Sequence, residues 1–235
     1  MMASKIREDK ELLSSITSDL KDLGITDYPR EDVIQKIHDG EKIVLIEGTQ
    51  PYEEANQTKG IDYSVILKQA FQAGLYMPVS LFVRVAEEPH RSRIFKLSEG
   101  EFFTLPQAVN LLHDRPVAKK EFINRKIEEN WYSLDSTKTD VFGNSALIRQ
   151  HISEPKLIKS LEQLPIKPYF PSIDELISKL KEGDAVPVTL LHSGMEKQIF
   201  VKIYPAESKI VESSPSNAKQ QLAKGDRRKS GRKSF

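Results

Sequence analysis

Asp174 to Leu191 reads D-E-L-I-S-K-L-K-E-G-D-A-V-P-V-T-L-L, a helix ended by Gly183 and followed by a strand. A residue without a Cβ takes the left-handed conformation freely, so Gly183 stops the helix and turns the chain into what comes next. What comes next is a hairpin, with a turn at His192–Glu196 and a return strand K-Q-I-F-V-K-I (Lys197–Ile203). The same form stands earlier in the chain. G-L-Y-M-P-V-S-L-F-V-R-V-A from Gly74 shares G-x-x-x-P-V-[ST]-L and alternates Val79, Leu81, Val83 and Val85 against Ser80, Phe82, Arg84 and Ala86. It then passes through a turn at Glu88–Ser92 into R-I-F-K-L (Arg93–Leu97). D-V-I-Q-K-I-H-D-G (Asp32–Gly40) mirrors the helix that precedes Gly183. This internal likeness predicts an α+β fold of repeated helix-plus-β-hairpin units packed together. Pro78 and Pro187 stand one residue into their strands, where a missing N–H costs least, and predict strands that begin at a sheet edge.

Outward from these units, Ile6, Leu13, Ile16, Leu20 and Leu23 lie on one helical stripe that Gly24 ends. The stripe is a docking face, onto this chain or onto a second copy. A second helix is expected over Pro29–Asp39, with Asp27 as its cap, Val33, Ile34 and Ile37 as its apolar face and Gly40 beyond its end. Lys42–Glu47 reads as a buried strand whose partner is Ile61–Lys68, although Tyr63–Phe71 also fits a helical face. Thr49–Gly60 between them reads as a polar loop containing the sequon Asn56-Gln57-Thr58. Thr104 caps a helix to His113 with Leu105, Ala108, Val109, Leu111 and Leu112 inward and Asp114 near its stop. Trp131–Leu134 reads as a short strand, Asp140–Asn144 as a turn, and Pro155–Leu164 as a helix ended by Pro165.

The chain has 235 residues, 38% of them hydrophobic and 29% charged, which places it among folded proteins on the polar side. It contains no Cys, so disulfides and thiolate metal sites are excluded, in keeping with a reducing compartment. The first residues, M-M-A-S-K-I-R-E-D-K, lack the apolar core of a secretory signal. No run approaches the roughly 18 apolar residues of a membrane span. A cytoplasmic protein without membrane contact is expected. Net charge is +1, but Ser213–Phe235 carries seven basic residues against one acid, or +6, which leaves −5 to the rest. Three segments follow: 1–100 with the N-terminal helix and first helix-hairpin units, 101–212 with the second, and 213–235 as a disordered basic C-terminal tail.

The order of motifs T-L-x-x-A-x-N-L-L-x-x-R-x-V-x-K from Thr104, W-x-x-L-D at Trp131–Asp135, D-x-x-G-N at Asp140–Asn144, P-I-K at Pro165–Lys167 and the final helix-glycine-hairpin resembles a domain of unknown function. That domain is widespread in bacterial mobile elements, particularly conjugative transposons of the Bacteroides group, in proteins often associated with DNA topoisomerases and conjugation genes. The resemblance covers about Phe103–Glu212, and Asp32–Leu67 also looks like the repeats that accompany it. Asp114 replaces the family's usual Gly before Arg115, and R-Q-H-I-S-E-P after Ile148 replaces an aromatic Y-G-Y-D-L segment. The resemblance implies a genetic context and carries no residue-level mechanism.

For chemistry, His38, His90, His113, His151 and His192 form no ligand pattern, and no phosphate loop, nucleophile elbow or dinucleotide fingerprint occurs. No catalytic residue, metal or cofactor is assigned. Asp140 is read as a turn former and Trp131 as core in preference to a base-stacking platform. The tail cations Lys219, Lys224, Arg227, Arg228, Lys229, Arg232 and Lys233 suit non-specific phosphate contact, or else serve only solubility. Arg115, Lys119, Lys120 and Arg125 are the other dense basic stretch. The reading is a non-enzymatic accessory protein of a bacterial mobile element that binds DNA, or a DNA-processing protein through its hairpin edges. The alternative is an enzyme or enzyme-regulatory domain with a cleft near Arg115, Trp131 and Asp135.

Overall fold

The computed structural model describes residues 2–54, 57–70, 75–123, 125–141, 143–164, 166, 172–192, 195–205 and 209–213. The tail cations from Lys219 onward, Asn56 of the sequon, Pro165 and Lys167 lie outside the described residues. Among those described, five α-helices and three antiparallel sheets make a mixed α+β protein. Strand order within each sheet follows the chain, so every sheet is a meander. Contacts divide the chain into two compact units, Met1–Asp114 with Leu134–Ala146, and Arg115–Ser133 with Leu147–Phe235.

The first unit opens with α1 (Met2–Asp22), whose Ile16, Leu20 and following Leu23 are fully buried. Its stripe docks on this chain, against the third strand of the sheet below. In α2 (Arg30–His38) Pro29 is the N-cap and makes no side-chain cap bond, contrary to the expected capping by Asp27. The Asp27 carbonyl instead accepts the Tyr63 hydroxyl at 2.6 Å. The sheet comprises β1 (Ile43–Glu54), β2 (Gln57–Gln69), β3 (Tyr76–Val85) and β4 (Glu88–Phe95). One expectation fails here. Thr49–Gly60 is not a loop, because the β1–β2 ladder continues through Thr49↔Asp62, Pro51↔Gly60 and Glu54↔Gln57. The expected partner strand Ile61–Lys68 lies within β2, where Ile61, Tyr63, Val65 and Leu67 are buried, and its helical alternative fails. The polar extension is held on the outer face by Asp62, which accepts from Thr49 Oγ1 at 2.9 Å and from Arg84 Nη2 at 2.7 Å.

Pro78, the third residue of β3, stands in an interior strand and not an edge strand, but only β2 pairs with it there, as β4 joins β3 from Leu81 onward. The register skips between Leu67↔Pro78 and Ile66↔Ser80, so Val79 forms a bulge where the ladder already lacks a donor. Beyond it the inward parity changes and Tyr76 is buried. The turn between β3 and β4 falls at Ala86–Glu87 and not at Glu88–Ser92. A short 3-10 helix (Leu97–Glu99) leads to α3 (Leu105–Leu112). Its capping box is complete: Gln107 N donates to Thr104 Oγ1 at 3.3 Å and Thr104 N to Gln107 Oε1 at 3.2 Å. Past its end Asp114 takes φ +57, a left-handed geometry that aspartate tolerates.

The second unit holds a core built on Trp131, Leu157, Leu161, Leu176, Ile177, Leu180, Val188 and Val201. It contains α4 (Glu154–Glu162), α5 (Ile173–Glu182) and a sheet of β8 (Val186–His192), β9 (Met195–Tyr204) and β10 (Lys209–Ser213). Ser172 Oγ caps α5 by accepting from Glu175 N at 3.1 Å, and Gly183 at φ +89 ends it. Pro187 lies in β8, an edge of its sheet. β10 pairs with β9 as far as Ser213↔Phe200. Ile210, 5% exposed, joins the core, and its N–H donates to Ser160 Oγ at 3.0 Å.

The remaining sheet has the order β5 (Val117–Ile123), β6 (Lys126–Thr139) and β7 (Ser145–Gln150). The expected short strand at Trp131–Leu134 is the middle of the fourteen-residue β6. Its extension is mostly polar, which is why no apolar alternation marks it.

Candidate nucleic-acid interface

The basic stretch Arg115–Arg125 contributes β5 and the turn into β6. Register runs from Val117↔Tyr132 to Ile123↔Lys126, so two residues make the turn and every facing pair shares one side of the ribbon. One side carries Val117, Lys119, Glu121, Glu128, Asn130 and Tyr132, with Ile123 and Lys126 beside the turn. The other carries Ala118, Lys120, Phe122, Ile127, Glu129 and Trp131.

On the first side the polar groups satisfy one another. Tyr132 donates its hydroxyl to Glu121 Oε2 at 2.5 Å, Lys119 Nζ lies 3.5 Å from Glu121, and Arg149 of β7 lies 3.6 Å from it. The buried Asn130 amide lies between Glu121 and Arg149. Arg149 also reaches Glu128 at 3.9 Å, bridging two carboxylates that face each other directly across the strands. Burial pushes the Glu121 carboxyl up, but the Tyr132 hydroxyl, Lys119 and Arg149 outweigh it and hold the group below its ordinary value. Burial and the same carboxylate push the Tyr132 hydroxyl up, so it stays a donor. This face is a closed polar network and leaves no free charge on Glu121 for a ligand.

The second side differs toward the turn. Trp131 is fully buried in the unit's core and offers no ring to a base. Glu129 is engaged by Lys181 Nζ at 2.9 Å. Beyond it Phe122 is 73% and Ile127 74% exposed, and Phe122 is the most exposed aromatic among the described residues. Lys120 on this side, Arg125 in the turn and Lys126 on the opposite side are exposed at the tip and form no ion pair among the described residues. Arg125 stands at φ +64 in the turn. Glycine takes this conformation freely, whereas an arginine costs about 1 kcal/mol there. Backbone strain accepted for a long cation at an exposed tip points to use of the side chain.

Of the residues singled out in the sequence, Lys120 and Arg125 are at this tip and Lys119 belongs to the ion-paired face. Arg115 is partly buried; desolvation lowers it to about 10 against the opposing pull of Asp184, and its guanidinium offers little to a phosphate. Asp135 lies in the other unit, its carboxylate accepting from Thr137 N at 2.9 Å and from the Thr137 hydroxyl at 2.5 Å. Asp140 forms the turn it was read to form, accepting from Asn144 N at 2.9 Å. Sequence reading missed Phe122, Lys126 and Ile127. The available signal was K-K-E-F-I-N-R-K-I-E-E (Lys119–Glu129), two strands matched about a two-residue Asn-Arg turn. No group of acidic or histidine side chains among the described residues is arranged to hold a metal ion, and no described helix is long and apolar enough to cross a membrane. Comparison with protein-family models, curated proteins and solved structures returns no match to this chain.

Proposed function

We propose that the protein is a non-enzymatic, DNA-associated accessory factor of a bacterial mobile element. The observation that carries the DNA contact is the β5–β6 tip, where Lys120, Arg125 and Lys126 are exposed and form no ion pair among the described residues, while the neighbouring Glu121, Glu128 and Glu129 are each held by a cation. A positive tip on a ribbon otherwise neutralised internally is the charge arrangement that phosphates select. The mobile-element context rests on the motif order from Thr104 to Lys167. In this reading the helix-glycine-hairpin segments beginning at Asp32 and Asp174 are two copies of one unit. Residues 213–235 are a disordered basic tail that adds sequence-blind affinity.

Duplex binding measured against salt for the full chain, for a chain ending at Ser213 and for a Lys120→Gln/Arg125→Gln/Lys126→Gln variant tests the proposal. Each neutralised phosphate contributes about −0.9 to the slope of log K on log salt, so the triple variant loses a slope of about 2 to 3. Removal of the tail, through which about four to six cations meet phosphates at once, removes a further slope of about 4 to 5. Binding by the shortened chain that ignores the triple substitution overturns the assignment to the hairpin. Absence of binding by every form at about 50 mM salt overturns DNA association altogether.

A further inference from the structure

Isolated apolar residues on a surface are ordinary. Phe122 and Ile127 are not isolated: they are direct cross-strand partners, project from the same side of the ribbon and are about three-quarters exposed at its tip. The carboxylate nearest them on that side, Glu129, is taken up by Lys181, and Lys120 is the neighbour of Phe122 two positions along the strand. The tip therefore presents an aromatic-aliphatic edge with Lys120 on the same side, Arg125 in the turn and Lys126 on the opposite side beside Ile123. Surfaces that insert between stacked bases have this composition, an apolar side chain to replace the lost stacking and cations to hold the flanking phosphates. Two-stranded ribbons dock in the minor as well as the major groove of DNA.

We propose that the β5–β6 tip is a wedge, with Phe122 and Ile127 entering a base step of duplex DNA from the minor groove and kinking it while Lys120, Arg125 and Lys126 grip the adjoining phosphates. The inference rests on the DNA reading above and adds to it a deformation of the duplex. A wedge selects sites by how easily they open, so flexible pyrimidine–purine steps such as TA are favoured over stiff A-tracts.

End-labelled duplexes of about 25 bp, bearing 2-aminopurine beside a central TA step, report bending by energy transfer and unstacking by fluorescence. The full chain is expected to raise both signals. Phe122→Ala/Ile127→Ala, substituted at an exposed tip, is expected to bind with an unchanged salt slope and unchanged thermal melting but to lose the energy-transfer and 2-aminopurine changes. Binding without deformation, or deformation that persists in the double variant, overturns the wedge and leaves DNA association standing. No binding to any duplex at low salt removes both. Phe122- and Ile127-dependent binding to vesicles of anionic lipid, with no DNA deformation, assigns the tip to a membrane surface and overturns the wedge.

Discussion

Glu121 shows how a single side chain fixes the side of a sheet that apolar packing leaves open. Its carboxylate collects the Tyr132 hydroxyl, Lys119 and Arg149, and the favourable contacts exceed the cost of partial burial. A carboxyl held below its unfolded value adds stability that is complete above about pH 5 and is lost as pH falls through the folded value. Chemical denaturation between about pH 3 and 7 should therefore show a loss of stability toward acid that is smaller in Glu121→Gln, which keeps an acceptor for Tyr132 but has no proton to gain. Equal pH dependence in the two proteins would show that the network adds no charge-linked stability. Gly48 is a second residue whose role is local. It faces Tyr63 across the β1–β2 ladder, and a Cβ there would run into the phenol ring, whose hydroxyl is anchored on Asp27. The aromatic ring covers the glycine of an edge strand. Gly48→Ala should cost about 1–3 kcal/mol in urea unfolding. Gly60→Ala, whose Cβ meets Ala86 Cβ at an ordinary 3.4 Å, should lie within about 0.5 kcal/mol of wild type.

Elements were legible where one face is apolar and the other wet. α1, α3, α4 and the inward residues of β2 follow their hydrophobic period, and the glycines at Gly40 and Gly183 stand beyond helix ends with φ +81 and +89. β5, β7 and most of β6 were not legible, because the first side of that sheet holds Asn130 and the Tyr132–Glu121 pair in place of aliphatic groups. Period-2 reading needs an apolar face to count. The long arm of β1 and β2 escaped for the same reason, its outer face being tied by Thr49, Asp62 and Arg84. Of the candidate interface, charge was visible and exposure was not. Lys119 and Lys120 are adjacent in sequence, but alternation sends one into an ion-paired network and the other to the free edge. Phe122 and Ile127 were not singled out in the sequence; only the register sets them opposite each other at an exposed tip.

At the scale of the molecule, β10 carries strand pairing to Ser213, where the basic stretch of the sequence begins. β10 pairs with β9 from Lys209↔Tyr204 to Ser213↔Phe200, and Ile210 is buried against α4 through the Ser160 contact. Cutting after Ser213 separates the +6 segment that follows from a body of −5 while keeping that ladder. Cutting after residue 208 removes the strand. Burying one isoleucine side chain is worth about 1.5–3 kcal/mol, and the ladder's hydrogen bonds add to it. The chain ending at Ser213 should therefore unfold within about 0.5 kcal/mol of the full chain. The chain ending at residue 208 should lose at least about 2 kcal/mol by thermal or urea denaturation. A large loss already in the chain ending at Ser213 would show that the tail is part of the fold, and its cations would then be unavailable as a free phosphate-binding arm.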